Sequence, residues 1–180
     1  TVIHCALTMA FESLFPFYSR SQLGLEEGRA LFQGPAYLMI AVGTGAIIAN
    51  LALTRVESHK TRGRLLLWFG ILSGLTPIAL GFSNNIPVSM LVAAGLGATT
   101  AGFMTVSHGI IQMLTTDDIR GRVMAANTWH VLGAMGGFNA VNGVLMDVSW
   151  MTPTILLAGT GTIFLWVMLG SFARAPIRTL

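Results

Sequence analysis

The chain has 180 residues, 53% of them hydrophobic and only 9% charged, with a formal net charge of +3. An average soluble domain carries about 25% charged residues, so the composition argues against a water-soluble fold. The basic excess does not point to nucleic acid either: Lys and Arg gather at the ends of apolar stretches, with no interleaved aromatic or zinc-finger pattern.

Fifteen of the seventeen charged residues fall in four clusters, at 20–29, 55–64, 117–122 and 174–178, leaving Glu12 and Asp147 outside. A helix crossing the hydrocarbon of a bilayer needs roughly 20 residues, and the gaps between clusters are read against that length. The first apolar stretch, 1–18, supplies a span if the chain begins a little earlier. Thr1 already sits in a hydrophobic run with no Met and no charged leader region, so the sequence reads as part of something larger and not as a signal peptide. A second span fits 36–54. The interval from Leu65 to Thr116 holds 52 residues without Asp, Glu, Lys or Arg. Turn formers from Ser83 to Pro87 divide it into spans at 65–82 and 88–114. Asp147 to Pro153 divide the remainder in the same way, into 123–146 and 153–173. The expected fold is therefore an all-α membrane protein with six transmembrane helices.

Numbering the loops outward from the N-terminus, 55–64, 120–122 and the C-terminal tail hold eight Lys or Arg, against two on the opposite side. By the positive-inside rule both ends of this segment are cytoplasmic. One cysteine, Cys5, excludes an intramolecular disulfide framework and a Cys-rich metal site, and it reads as a small packing residue.

The spans differ in polarity. The third and sixth carry little besides apolar residues, Ser, Thr, Gly and Trp, and look lipid-facing. The first, fourth and fifth carry Glu12, His108, Gln112, His130, Asn139 and Asn142. Polar groups inside a bilayer usually face a bundle interior or an aqueous cavity, so these three helices are the candidates for lining one. At about 100° per residue, the fifth span separates into two faces. Asn127, His130, Asn139 and Asn142 share one arc; Gly133, Gly136, Gly137 and Gly143 share the other, with Gly133 and Gly137 at small-xxx-small spacing. The glycine face is expected to pack against another helix, as is Gly45 in the second span.

Three segments carry a family resemblance: Leu14 to Leu25 followed by Gly34 to Asn50, Arg62-Gly-Arg64 entering the third span, and Asp118-Ile-Arg-Gly-Arg-Val-Met124 entering the fifth. On these the chain resembles the C-terminal six-helix half of a major facilitator superfamily transporter. It is most similar to the bacterial drug and siderophore efflux branch of macrolide-efflux-like permeases and the enterobactin exporter. Thr115 and Thr116 stand where that branch usually has a proline. The resemblance implies two six-helix halves built of inverted three-helix repeats that rock about a shared site. It places first- and fourth-position helices at the cavity and third- and sixth-position helices outside. The N-terminal half is expected to be missing from these residues.

Glu12 is the one acid well inside an expected span, about six residues or roughly 9 Å from its outer end. Desolvation drives a carboxyl toward proton exchange, so it is a candidate for proton coupling; the plainer reading is a hydrogen-bonded or vestibular Glu. His4, His108 and His130 lie at similar expected depth. His108 and His130 are candidates to relay a proton, against the plainer role of packed hydrogen-bonding residues. Asn139, Asn142 and Gln112 are candidate substrate contacts, and Phe11 and Phe15 a candidate apolar wall. Tyr18 and Trp150 suit an interfacial belt. Arg62, Arg64, Asp117, Asp118, Arg120 and Arg122 set topology, with the two acids complementing a helix N-terminus; the resemblance adds a cytoplasmic gate. No His pair has metal-helix spacing and no hydrolase motif is present, so no metal, cofactor or covalent chemistry is expected.

The leading expectation is proton-coupled efflux of small amphipathic molecules across a bacterial cytoplasmic membrane. The partners expected are the bilayer, the other six-helix half, the substrate and protons. The alternatives are an uptake permease of the same superfamily and a non-transporting piece serving membrane assembly or sensing.

Overall fold

A computed structural model describes residues 1–55 and 59–173. Arg174 and Arg178, on which part of the charge asymmetry rests, lie outside the described residues. The helices are α1 (Val2–His4), α2 (Phe15–Ser21), α3 (Glu27–Leu31), α4 (Gln33–Leu53), α5 (His59–Gly81), α6 (Ile86–Leu114), α7 (Asp117–Leu145) and α8 (Pro153–Ala173). A π-helical turn at Cys5–Met9 and a 3₁₀ turn at Glu12–Leu14 stand between α1 and α2.

Local chemistry explains several of these limits. Proline is tolerated in the first turn of a helix, where its missing N–H has no partner to lose; Pro87 stands in the first turn of α6, and Pro153 opens α8. Asp117 and Asp118 occupy the first turn of α7, the end where a helix dipole favours negative charge.

Four helical stretches among the described residues are long and apolar enough to cross a bilayer: Glu27–Leu53, Thr61–Gly81, Ile86–Leu114 and Pro153–Ser171. The six expected spans are thus not all of one kind. Helix α7 has the length, 29 residues, but its charged first turn, asparagines and glycines make it more polar than the four. The stretch expected as one helix over 1–18 is broken. Ala10 leaves the helical region with ψ of 37°, and regular α-helix resumes only at Phe15. Pro16 supplies a cause, since its ring clashes with the carbonyl four residues earlier and it cannot donate a hydrogen bond there. That carbonyl belongs to Glu12, where the 3₁₀ turn begins.

Helices α4, α6, α5 and α8 pack side by side in that order. Between α4 and α6 the approach is reciprocal: a β-carbon on Gly45 would strike the Ala94 carbonyl, and one on Gly97 the Val42 carbonyl. Gly74 and Gly161 play the same part between α5 and α8, each backed by the other's backbone oxygen. The broken N-terminal segment lies on this layer, and α7 packs chiefly on the break. Of the six apolar segments in chain order, the second pairs with the fourth, the fifth with the first, and the third with the sixth.

The core gathers Phe11, Leu14, Phe15 and Tyr18 of the N-terminal segment against Leu38, Leu80, Leu96 and Leu157. The outward faces of α5 and α8 expose Trp68, Leu72, Leu75, Ile163, Trp166 and Leu169, as lipid-facing helices do.

Candidate functional site

The break in the first segment is the feature around which the polar residues organise. Leaving helical geometry at Ala10 frees backbone groups that no water can satisfy inside a membrane, and each must find a partner. The Asn142 amide donates to the Ala10 carbonyl at 2.5 Å, and the Ser13 N–H donates to Asn139 Oδ1 at 3.4 Å. Both asparagines come from α7. The candidate substrate contacts Asn139 and Asn142 are therefore engaged in holding the broken backbone, and Asn142 is buried.

Glu12 heads the 3₁₀ turn beside this seam. It is exposed. Pro16 and the break turn the backbone so that Phe11, Leu14 and Phe15 take the buried side. Phe11 and Phe15 lie 5.2 Å apart between ring centroids within the core. Their place is a packing contact of this chain.

The two halves of the broken segment are pinned separately. In the N-terminal half, His4 is fully enclosed, stacked on Phe103 at 4.1 Å and edge-on to Phe164. Its Nε2 meets Ser73 Oγ at 3.1 Å, and that hydroxyl donates onward to the Gly70 carbonyl. Ser73 has one proton to give, so His4 must donate from Nε2. In the C-terminal half, the Tyr18 hydroxyl donates to the Ser83 carbonyl at 2.7 Å and accepts from Ser89 Oγ at 2.7 Å. Gln22 adds a bond to Thr154. Tyr18 is wholly buried, so the belt position expected of it is overturned: its hydroxyl is held by protein and not by headgroup water. Trp150, expected in the same belt, is exposed.

The three histidines do not meet. His108 Nε2 lies 3.0 Å from the Asn127 amide of α7, while His130 is exposed and bonds the Ala126 carbonyl of its own helix. His108 and Gln112 instead line a cavity of about 390 Å³ with Arg62, Thr105, Leu53 and Val106. It lies at the ends of α4, α5 and α6 that the charge pattern predicts to be cytoplasmic.

Arg64 is exposed beside Leu67, Trp68 and Ile71. Asp117 pairs with Arg120 at 2.7 Å, and Asp118 accepts from Thr116; Arg122 is exposed.

The two faces of α7 differ in what they meet within this chain. Its polar face meets the chain, through Asn127, Asn139 and Asn142, whereas Gly133, Gly136, Gly137 and Gly143 meet no atom within 4 Å. The helix docks by polar side because the broken backbone needs donors and acceptors, and only that arc supplies them. Gly45 packs closely on the Ala94 carbonyl. The anchors His4–Ser73 and Tyr18–Ser83–Ser89 escape a sequence reading, since their partners lie 65 to 71 residues away. Among the described residues no group of three His, Cys, Asp or Glu could hold a metal ion.

Long apolar helices, small-residue seams and polar groups turned inward define a multi-pass membrane protein. Residues 1–178 match the family described as transmembrane secretion effector. The chain belongs to that family, and so is a transporter of the major facilitator type. No curated protein and no solved structure matches the chain.

Proposed function

We propose that the chain is the C-terminal six-helix half of a secondary-active exporter, which moves small amphipathic molecules out of a bacterial cell against proton entry. The observation that carries this reading is the exposed Glu12 at the break of the first segment, next to a seam of asparagines, in a chain of this family. A carboxylate near the membrane interior is costly unless it serves a pathway, and a break in a spanning segment is where transporters place their sites. In this reading both ends of the segment are cytoplasmic in the inner membrane, and the open glycine face of α7 receives the N-terminal half. No covalent step is involved; the work is alternating exposure of a shared site.

The test is efflux by the full-length protein in vesicles with and without an imposed proton gradient. Export should require the gradient, and Glu12→Gln should abolish its effect. Gradient-driven export that survives Glu12→Gln would remove the coupling role, and uptake without any export would overturn the exporter.

A further inference from the structure

The outward face of α5 carries a groove of its own, away from the cleft of His108. Arg64, Leu67, Trp68 and Ile71 line it, around a space of about 270 Å³. Positions i, i+3, i+4 and i+7 fall on one face of a helix. Leu67 and Ile71 give the groove its apolar side, packed against the cluster of Phe103, Phe164 and Met168, whereas Arg64 and Trp68 are exposed. By helix rise Arg64 stands about 6 Å from Trp68 and about 10 Å from Ile71, so the charge lies at the helix end and the apolar side runs inward from it.

The end of the bundle at which this groove opens is basic. Helices α5 and α8 run antiparallel: Gly81 faces Thr154, Gly74 faces Gly161, and Gly70 faces Met168. The start of α5 is thereby set beside the end of α8. The sequence through these two ends, 55–64 and 174–178, holds Arg55, Lys60, Arg62, Arg64, Arg174 and Arg178 against one acid, Glu57. Helices α5, α6 and α8 contain no Asp or Glu. One carboxylate, whichever cation it pairs with, leaves the basic surplus in place.

We infer that this groove holds an anionic phospholipid of the adjoining leaflet, with its phosphate accepting from Arg64 and an acyl chain lying along Leu67 and Ile71 beside the Trp68 indole. A guanidinium presents a planar fork of donors that matches a phosphate. An indole one turn further in suits the boundary between headgroups and hydrocarbon. A basic surplus next to a spanning helix attracts anionic lipid, while a zwitterionic lipid would bring its ammonium to the same basic edge. Only the spanning of α5 is needed for this, and neither export nor proton coupling.

The test is quenching of tryptophan fluorescence by phospholipids brominated on the acyl chain, which act only near contact. The full-length protein, with Trp68 or Trp166 kept as its single tryptophan, is placed in phosphatidylcholine vesicles containing brominated phosphatidylglycerol or brominated phosphatidylcholine. At Trp68 the phosphatidylglycerol should bind about fivefold more tightly, the ratio that one basic contact at a membrane surface implies. Trp166 is exposed on α8 but further from the basic end, since its neighbours Leu165 and Met168 meet Gly74 and Gly70; there the two lipids should bind alike. Arg64→Gln should erase the preference at Trp68, and Arg64→Lys should keep part of it, because the charge remains but the fork is lost.

No preference at Trp68, or one that survives Arg64→Gln, would overturn the inference. An equal preference at Trp166 would do the same, since a diffuse attraction of anionic lipid acts on both tryptophans. So would a preference that arises only when residues 174–180 are deleted, which would give the groove to the chain's own tail. If Arg64→Gln does not fold, Arg64→Lys and the comparison of Trp68 with Trp166 still decide.

Discussion

Asn142, near the C-terminal end of α7, donates its amide to the carbonyl of Ala10, 132 residues earlier in the chain. With Asn139 it is the tie between α7 and the broken segment. Asn142→Leu would remove the donor and leave a buried carbonyl unpaired, at a cost of about 1–2 kcal/mol. A lower melting temperature is expected for the purified protein. Asn139→Ala should cost less, because its bond to Ser13 is long at 3.4 Å. Equal effects of the two substitutions would contradict this ordering.

Tyr18 is expected to behave as a buried anchor. Tyr18→Phe keeps the ring but deprives the Ser83 carbonyl of its donor and the Ser89 hydroxyl of its acceptor. The expected loss is about 1 kcal/mol, read as reduced thermal stability with little change in fluorescence of the membrane-facing tryptophans. A residue in a headgroup belt would tolerate the change.

Gly45 and Gly97 should be the least replaceable glycines described. A methyl at either would meet a backbone oxygen, which cannot swing away as a side chain can. Gly45→Ala is expected to destabilise by about 1–3 kcal/mol or more, seen as lost folded protein on size-exclusion chromatography. Gly137 has open space in this chain, so damage from Gly137→Leu would report a neighbour outside it, the proposed N-terminal half.

The proposed orientation is tested by labelling single cysteines in a background with Cys5 and any other cysteine replaced. A cysteine at the exposed Asn84 should react with an impermeant maleimide added to whole cells. One at the exposed Thr116 should react only after the membrane is opened. The reverse pattern would invert the topology.

Much of the architecture is legible from local signals. Pro87 and Pro153 mark the starts of α6 and α8, so the expected spans at 88–114 and 153–173 differ little from the helices observed. The break at Ala10 is not legible to the same degree. Pro16 hints at it, but the partners that satisfy the freed backbone come from α7, and nothing near residue 10 announces them. The two faces of α7 could be read by angle, but not which one meets its own chain. That choice depends on where unpaired backbone groups arise elsewhere. The candidate polar residues were likewise visible as types, while their division between the break, the cleft and the exposed side of α7 follows from long-range pairing.

The reciprocal contact of Gly45 with Ala94 and Gly97 with Val42 has a mechanical meaning. Two helices touching at the level of their backbones interlock like the teeth of a ratchet: axial sliding would drive a carbonyl into the opposing main chain. They can separate or travel together, but not shear. The seam of α7 against the N-terminal segment is held by two asparagine side chains, which can turn about their own bonds as a backbone cannot. Compliance in this protein is thus concentrated on one side of the first segment, and stiffness on the other.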